Sequence, residues 1–292
     1  MRKLQTCYSI VSPAEKSGII GFKPTRSLLS SKGLIHASKR LDTVGVLTRT
    51  VADTQLVLES ILQHSHHMYE STKQALLHDL HAAISAPSLH GIRIAVPCGL
   101  GELQHLPSCK NLAFEDVLES LQHAGATITR NMPMPGANAW ALLPEEEKSI
   151  LLYTDMKASI NAYLTSLTKN PFNITNLASL IAFTKHHPDE QYPARNVEGL
   201  ENAQATDPKA ALYSKVLQRE DYFTTGKGSI LAALTACSAH VMIVPTLSPT
   251  LQTLAVKAGS PAMSVPIGTF PVDTKVETNP QTGLVGTAPG IP

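Results

Sequence analysis

The sequence predicts an α/β domain, and three observations carry that prediction. An apolar run at 92–97, an amphipathic stretch at 111–123 and a second apolar run at 126–129 form a strand–helix–strand series, the pattern of a parallel α/β unit. Apolar residues make up 43% of the chain and charged residues 16%, so a packed core is feasible and gross disorder is excluded. At 292 residues the chain is long enough for one large domain or two.

The stretch around which the rest is organised is Leu4 to Thr25, LQTCYSIVSPAEKSGIIGFKPT. It opens polar and turn-prone, passes Pro13, and closes on a short apolar strand. Gly18 and Gly21 bracket that strand, and Lys23-Pro24 stops it. A small-residue loop of this kind brings backbone N–H groups close to a ligand, with the Ser9 hydroxyl among them.

The remaining elements follow in order. Thr50 to His64 reads as a helix, with Asp53 in its first turn at the positive end of the dipole. Thr48 or Thr50 is placed to cap it, and Val51, Leu58, Ile61 and Leu62 trace its apolar face. Residues 64–90 are rich in histidine, with His64, His66, His67, His78, His81 and His90. His64/His67 and His78/His81 each have the spacing to share a helix face. No cysteine or carboxylate cluster completes a metal-ligand set, so no metal is expected and the segment reads as a solvated helical connection. Ile92 to Pro97 is a buried strand. Asn111 to His123 is a helix with Leu112, Val117, Leu118 and Leu121 inward, stopped by Gly125. Ala126 to Thr129 is the next strand, and Met132 to Gly136 a loop. Trp140 to Thr168 is helical, restarting at Pro144 ahead of Glu145-Glu146-Glu147, an acidic triplet suited to a helix N-terminus. Asn173 to His186 is another helix. Pro208 to Ala236 is a long helical run broken at Gly226–Gly228. Val241 to Val244 is a buried strand, and Pro245 to Gly259 a Pro/Ser/Thr loop.

Composition narrows the function classes. Formal net charge is +1 and no long run of one sign occurs, which argues against nucleic-acid or membrane-surface binding by electrostatics. No window has the apolar length of a membrane span. The opening MRKLQTCYS has no apolar h-region, so a cytoplasmic location is expected. Cys7, Cys98, Cys109 and Cys237 form no CxxC pair and read as free thiols in a reducing compartment. No Gly-x-Ser-x-Gly elbow is present.

The stretch 4–25 resembles the amidase signature family, in its fungal-type form. That family's motif places Ile after a nucleophilic serine, then Pro-Ala, then a Gly-φ-φ-Gly-φ-Lys-Pro-Thr run nine residues past the serine. Here Ser9-Ile10, Pro13-Ala14 and Gly18-Ile19-Ile20-Gly21-Phe22-Lys23-Pro24-Thr25 fall at those spacings. Four later segments match in family order. They are Asp42-Thr43-Val44-Gly45 with Arg49-Thr50-Val51-Ala52-Asp53, then Leu89 to Pro97, Val244-Pro245-Thr246, and Gly259 to Pro266. An ordered set is far more specific than any one piece. The resemblance implies a mixed β-sheet flanked by helices on both faces, as a single partial domain over 1–292, and no cofactor.

It also implies a chemistry. Amide hydrolysis needs an activated nucleophile, a proton donor for the leaving nitrogen and donors aimed at the oxyanion. In the family these come from a Ser-Ser-Lys triad and the backbone of the loop before the nucleophile. Ser9 matches the nucleophile, and Thr6, Cys7, Tyr8 and Ser9 match the oxyanion-hole backbone. Tyr8 stands where the family usually has Gly. Asp42 either supports this loop by hydrogen bonds or caps a turn at Asp42-Thr43. The family's lysine and bridging serine lie upstream of the nucleophile and match nothing here. The sequence therefore reads as a fragment truncated at both ends, ending near Ala288-Pro289-Gly290-Ile291-Pro292. Its expected partner is a small-molecule amide substrate, with self-association through exposed faces and no nucleic acid or membrane. Two other readings share the page: a non-catalytic, partner-dependent module of the same fold, and an unrelated α/β binding protein. The helical insert 140–236 is the expected wall of a substrate cleft.

Overall fold

The computed structural model describes residues 2–64, 69–85, 88–280 and 283–292. Its first third builds a sheet and its covers. These are β1 (Arg2–Gln5), α1 (Val11–Lys16), β2 (Ile20–Lys23), β3 (Thr43–Thr48), α2 (Val51–Gln63) and α3 (Glu70–Ser85). Next comes the predicted unit of β4 (Arg93–Pro97), α4 (Ser108–His123) and β5 (Thr127–Met132). The helical insert contains α5 (Pro135–Ala141), α6 (Glu145–Thr165), α7 (Leu177–His186), α8 (Glu198–Gln204), α9 (Ala211–Thr224) and α10 (Ile230–Ala236). The chain then returns through β6 (Val241–Met242), α11 (Pro249–Ala258) and β7 (Ala262–Ser264), and ends on β8 (Glu277–Thr278) and β9 (Val285–Thr287).

Parallel and antiparallel pairing are both present, and they are divided between sheets. The order β1-β3-β2-β7 is antiparallel throughout. The order β5-β4-β6 is parallel, as the strand–helix–strand series requires. β8 and β9 form a separate antiparallel pair.

Alternation along β3 explains how the first sheet is covered. Val44 and Val46 pack with Leu58 and Leu62 of α2 and Leu77 of α3. Gly45 lies between them and meets Ile10 just ahead of α1. α2 begins on a reciprocal cap: the Thr50 side chain accepts from Asp53 N–H at 3.0 Å, and Asp53 accepts from Thr50 N–H at 3.2 Å, a capping box. Val51 is exposed at this end, so the apolar face begins at Leu58. A second core joins Ala95 of β4 and Met132 of β5 to Phe223 of α9, Ala233 of α10 and Leu254 of α11. A third holds α7 and α8 together through Leu177, Ile181 and Ala203, with Met156 and Ile160 of α6 beside them.

The structure corrects several boundaries and one element type. Pro245 to Gly259 is not all loop, because α11 fills most of it. Ser248 accepts from Leu251 N–H at 3.1 Å, Pro249 takes the first turn, and Gly259 ends the helix at φ 71°. These are N-cap, N1 and C-terminal glycine signals, hidden under a Pro/Ser/Thr composition. In α4 Leu112 is exposed, and Phe114 with Leu118 forms the buried face. β6 is only two residues long, lies at the edge of its sheet, and leaves Val241 partly exposed, so it is not a buried strand. Pro13-Ala14 falls within α1, not loop, and Gly21 lies inside β2 instead of flanking it. Pro135-Gly136 opens α5. Among the described residues, no helix is long and apolar enough to cross a membrane.

Candidate active site

β1 delivers the chain into the loop at Thr6. The β1–β3 register pairs Gln5 with Thr43, so Thr6 and Cys7 emerge beside Asp42. The loop closes quickly into α1, whose first bonds are Ser12 N–H to Tyr8 O at 2.9 Å and Ala14 N–H to Ile10 O at 3.2 Å. Ser9 therefore sits just ahead of the helix and is exposed, as is Tyr8, while Ile10 is fully buried. Tyr8 is not among the residues with positive φ. The turn before Ser9 is made without the left-handed geometry that would call for Gly.

Two motif glycines hold α1 against the sheet. A Cβ on Gly21 would stand 2.9 Å from Ile10 O and 2.5 Å from the Ala14 methyl. A Cβ on Gly45 would stand 2.3 Å from Phe22 O and 2.6 Å from the Ile10 side chain. Both contacts are too close for any side chain, so glycine is what lets Ile10, next to Ser9, sink onto β2 and β3. Gly18, at φ 61°, turns the chain from the end of α1 into β2. Glu15 fixes the far side of α1. It accepts from Leu247 N–H at 3.1 Å and from the Thr246 hydroxyl, which ties it to the Val244-Pro245-Thr246 landmark.

Thr6 and Cys7 are half-buried and line a cavity of about 110 Å³ with Arg40, Trp140, Asp155 and Lys257. Its charges come in pairs. Arg40 holds Asp155 through two nitrogens, at 2.8 and 3.1 Å, and Ser38 donates to the same carboxylate at 2.6 Å. Lys257 Nζ lies 2.6 and 2.8 Å from the two Glu220 oxygens and 4.8 Å from the Trp140 ring centre. Burial pushes the Cys7 thiol upward, the Asp42 carboxylate adds to this, and Lys257 opposes it. The nucleophilic thiolate of Cys7 is thereby disfavoured.

Asp42 is buried, and its bonds go to its own loop. Its Oδ2 accepts from Ala37 N–H at 2.9 Å and Ser38 N–H at 3.2 Å and lies 3.1 Å from His36 Nδ1. Asp42 Oδ1 and Thr43 Oγ1 are buried without a partner among the described residues. Lys23 is fully buried, with Nζ donating to Pro24 O at 3.1 Å. Burial, and then the Arg26 charge, lower its pKa to about 8. Arg26 itself donates to Val256 O and Lys257 O, closing the C-terminus of α11, where orphan carbonyls need donors.

The structure thus brings Thr6, Cys7, Tyr8 and Ser9 together as one loop beside Asp42. It places Ser9 on an exposed shoulder, outside the lining of the small cavity. No described side chain is hydrogen-bonded to Ser9 Oγ. The sequence reading missed Glu15, Arg26, Arg40–Asp155 and Glu220–Lys257. Arg26 is adjacent to the Lys-Pro-Thr run, but the other partners lie 115 or more positions apart or on separate helices, beyond any motif. Of the histidine pairs, His67 lies outside the described residues. His64 is bonded to Ser60 O, and His81 meets Gln55 and Glu59.

Residues 6–284 match the family model described as Amidase. The chain belongs to the amidase family. A protein of Arthroderma benhamiae named as an amidase is 35% identical over 299 aligned positions, which cover 99% of this chain and 48% of that protein. An Arabidopsis thaliana protein named as an amidase is 25% identical, over 90% of this chain and 49% of its own length. The chain spans about half the length of the curated relatives it matches. Among solved structures, the peptide amidase of Stenotrophomonas maltophilia superposes with a TM-score of 0.73 at 26% identity, over 98% of this chain and 58% of that one. An amidase family protein of Bacillus anthracis shares the fold, at TM-score 0.68 and 20% identity. The amidase fold thus covers all the elements around Ser9, the helical insert included.

Proposed function

We propose that the protein containing these residues hydrolyses carboxamide C–N bonds, with Ser9 as the nucleophile of a Ser-Ser-Lys triad. The observation that carries this reading is the state of the loop before α1. Among the described residues no acceptor takes the backbone N–H of Cys7, Tyr8 or Ser9. Donors of this kind, fixed by the clamp on Ile10, are what a tetrahedral oxyanion needs. In the proposed step Ser9 Oγ gives its proton to the triad base and attacks the carboxamide carbon, the carbonyl electrons move onto oxygen, and the base later passes that proton to the leaving nitrogen. The loop N–H groups hold that charge until the C–N bond breaks. The amine leaves with a proton, and water then hydrolyses the acyl-enzyme ester. Asp42 serves this loop indirectly, by ordering residues 36–38 behind it. The likeness to a peptide amidase makes peptide carboxamides the first substrates to test.

The 292-residue chain by itself is proposed to have little or no activity, because no described lysine or second serine is bonded to Ser9 Oγ. A nucleophile without its base keeps only the rate enhancement of the hole and of binding. The same observation favours the second reading, a non-catalytic module that keeps the fold. A fluorophosphonate probe tests both. Labelling of the folded chain at Ser9, mapped by mass spectrometry and abolished by Ser9→Ala, means that a base within the chain reaches Ser9 and overturns the inactive reading. An unlabelled, folded chain supports it.

A further inference from the structure

The small cavity beside Thr6 and Cys7 is lined by more cations than carboxylates. Arg40, Lys148 and Lys257 stand against Asp155 and Glu220. The carboxylates are spent. Each of their oxygens already accepts a hydrogen bond, those of Asp155 from Ser38 and Arg40 and those of Glu220 from Lys257. The cations are not spent. Arg40 donates through Nε and Nη2 to Asp155 and through Nη2 to the Tyr213 hydroxyl at 3.4 Å, and its Nη1 has no partner among the described residues. Lys148 Nζ donates to Glu145 at 2.7 Å. That carboxylate is 89% exposed, whereas the Lys148 side chain is only 20% exposed. Water screens such a pair, and an ammonium with one acceptor has further N–H groups to give.

Unused donors around an excess of positive charge select an anion. A cation entering the cavity would meet no carboxylate oxygen that is still free. A neutral apolar group would cover the Arg40 and Lys148 donors without pairing them, which is costly. Size and wall narrow the anion further. A dry cavity of roughly 150 Å³ holds benzene, so about 110 Å³ takes a carboxylate with about two more carbons. Trp140, Leu151 and Leu152 give those carbons an apolar wall. Phosphate or sulfate, with oxygen on every side, would leave that wall facing polar atoms.

We propose that this cavity binds a short-chain carboxylate, with Arg40 Nη1 and Lys148 Nζ as its donors. Resting on the amide-hydrolysis reading above, the carboxylate is the far end of a monoamide of a short dicarboxylic acid. The loop that lines the cavity at Thr6 and Cys7 reaches Ser9 two residues on, so the amide end stays at the mouth. A free carboxylic acid offers the same chemistry, and the test separates the two sources.

The chain has a single tryptophan, and Trp140 lines the cavity, so its fluorescence reports on this site. The 292-residue chain is titrated at constant ionic strength with succinamate, propionate, propionamide and chloride. Succinamate and propionate are expected to shift the emission saturably, and propionamide and chloride to leave it unchanged. Lys148→Gln should weaken both carboxylates about tenfold, the loss of one charge-assisted hydrogen bond. Lys148→Glu should abolish binding, with the thermal melt retained because the Lys148 partner stands in solvent. Arg40→Gln should weaken binding as well; because it also releases Asp155, the Lys148 variants decide if it fails to fold. Propionate has no amide, so its binding is independent of any reaction at Ser9. Tighter binding of succinamate than of propionate supports the monoamide. Equal binding keeps the carboxylate site and overturns the monoamide as its source. No saturable shift with either carboxylate, an equal shift with propionamide or chloride, or folded Lys148 variants that bind as the parent does would each overturn the proposal.

Discussion

At the scale of single residues, Lys23 is the position where the motif and the energetics meet. It belongs to the Gly-φ-φ-Gly-φ-Lys-Pro-Thr run, yet its ammonium is fully buried against a backbone carbonyl. Burial lowers its pKa from 10.5 to about 8. Below pH 8 the lysine is protonated in both folded and unfolded chains, and the fold bears the full cost of the buried charge. Between about pH 8 and 10.5 the unfolded chain keeps a proton that the folded chain has lost, so stability rises with pH across that window. Lys23→Met is therefore expected to stabilise the chain at pH 7, by up to about 3 kcal/mol, and to flatten that rise. Urea unfolding midpoints at pH 7 and pH 10 check this; a destabilised variant at pH 7 would mean that the ammonium has a partner worth more than its burial costs. Gly21 and Gly45 act at the same scale. The sequence marks them as motif glycines, but what they make room for, Ile10 and Ala14, is visible only in the packed state.

At the scale of elements, capping decides where helices begin. The box at Thr50 and Asp53 was legible because both residues sit within one turn of the apolar run they precede. α11 was not, since its cap, Ser248, is embedded in Thr-Leu-Ser-Pro-Thr, a composition that reads as loop. Its apolar face of Leu251, Leu254 and Ala255 is nonetheless buried in the second core. Ser248→Ala should cost about 1 kcal/mol through the lost cap to Leu251 N–H. It also removes the donor that Glu102 accepts at 2.7 Å, so a loss at the upper end of the capping range, about 2 kcal/mol, is expected. A chemical denaturation series reads this directly, and an unchanged midpoint would show that solvent replaces the cap. Leu112 illustrates the opposite failure. Helical spacing placed it inward, but the face that β5 and its neighbours cover contains Phe114 and Leu118.

At the scale of the whole molecule, the helical insert is fastened to the sheets by buried charge as well as by apolar packing. Glu220 of α9 and Lys257 of α11 are both nearly inaccessible, and Arg40, ahead of β3, grips Asp155 of α6. Removing one member of a buried pair strands the other. Glu220→Ala should therefore destabilise by about 3–5 kcal/mol, whereas Glu220→Met combined with Lys257→Met should recover most of that loss. Thermal melts of the single and double variants check this. Equal losses in both would show that shape, and not charge, carries the contact. Because these pairs wall the small cavity beside Thr6 and Cys7, the same experiment tests how firmly the insert is held against the loop.

The sequence by itself determined the α/β class, the family, the loop from Thr6 to Ser9 and most helices of the insert. Each of these is written in local spacing: alternation, helical period, caps, and motif residues a few positions apart. Only the tertiary structure decided that the described strands divide among three sheets, and that Asp42 bonds to residues 36–38. It alone paired Arg40 with Asp155 and Glu220 with Lys257, and it alone set the burial that pushes the Cys7 thiol upward. Those outcomes depend on which distant segments share one desolvated volume, and a chain's local pattern carries no record of that choice.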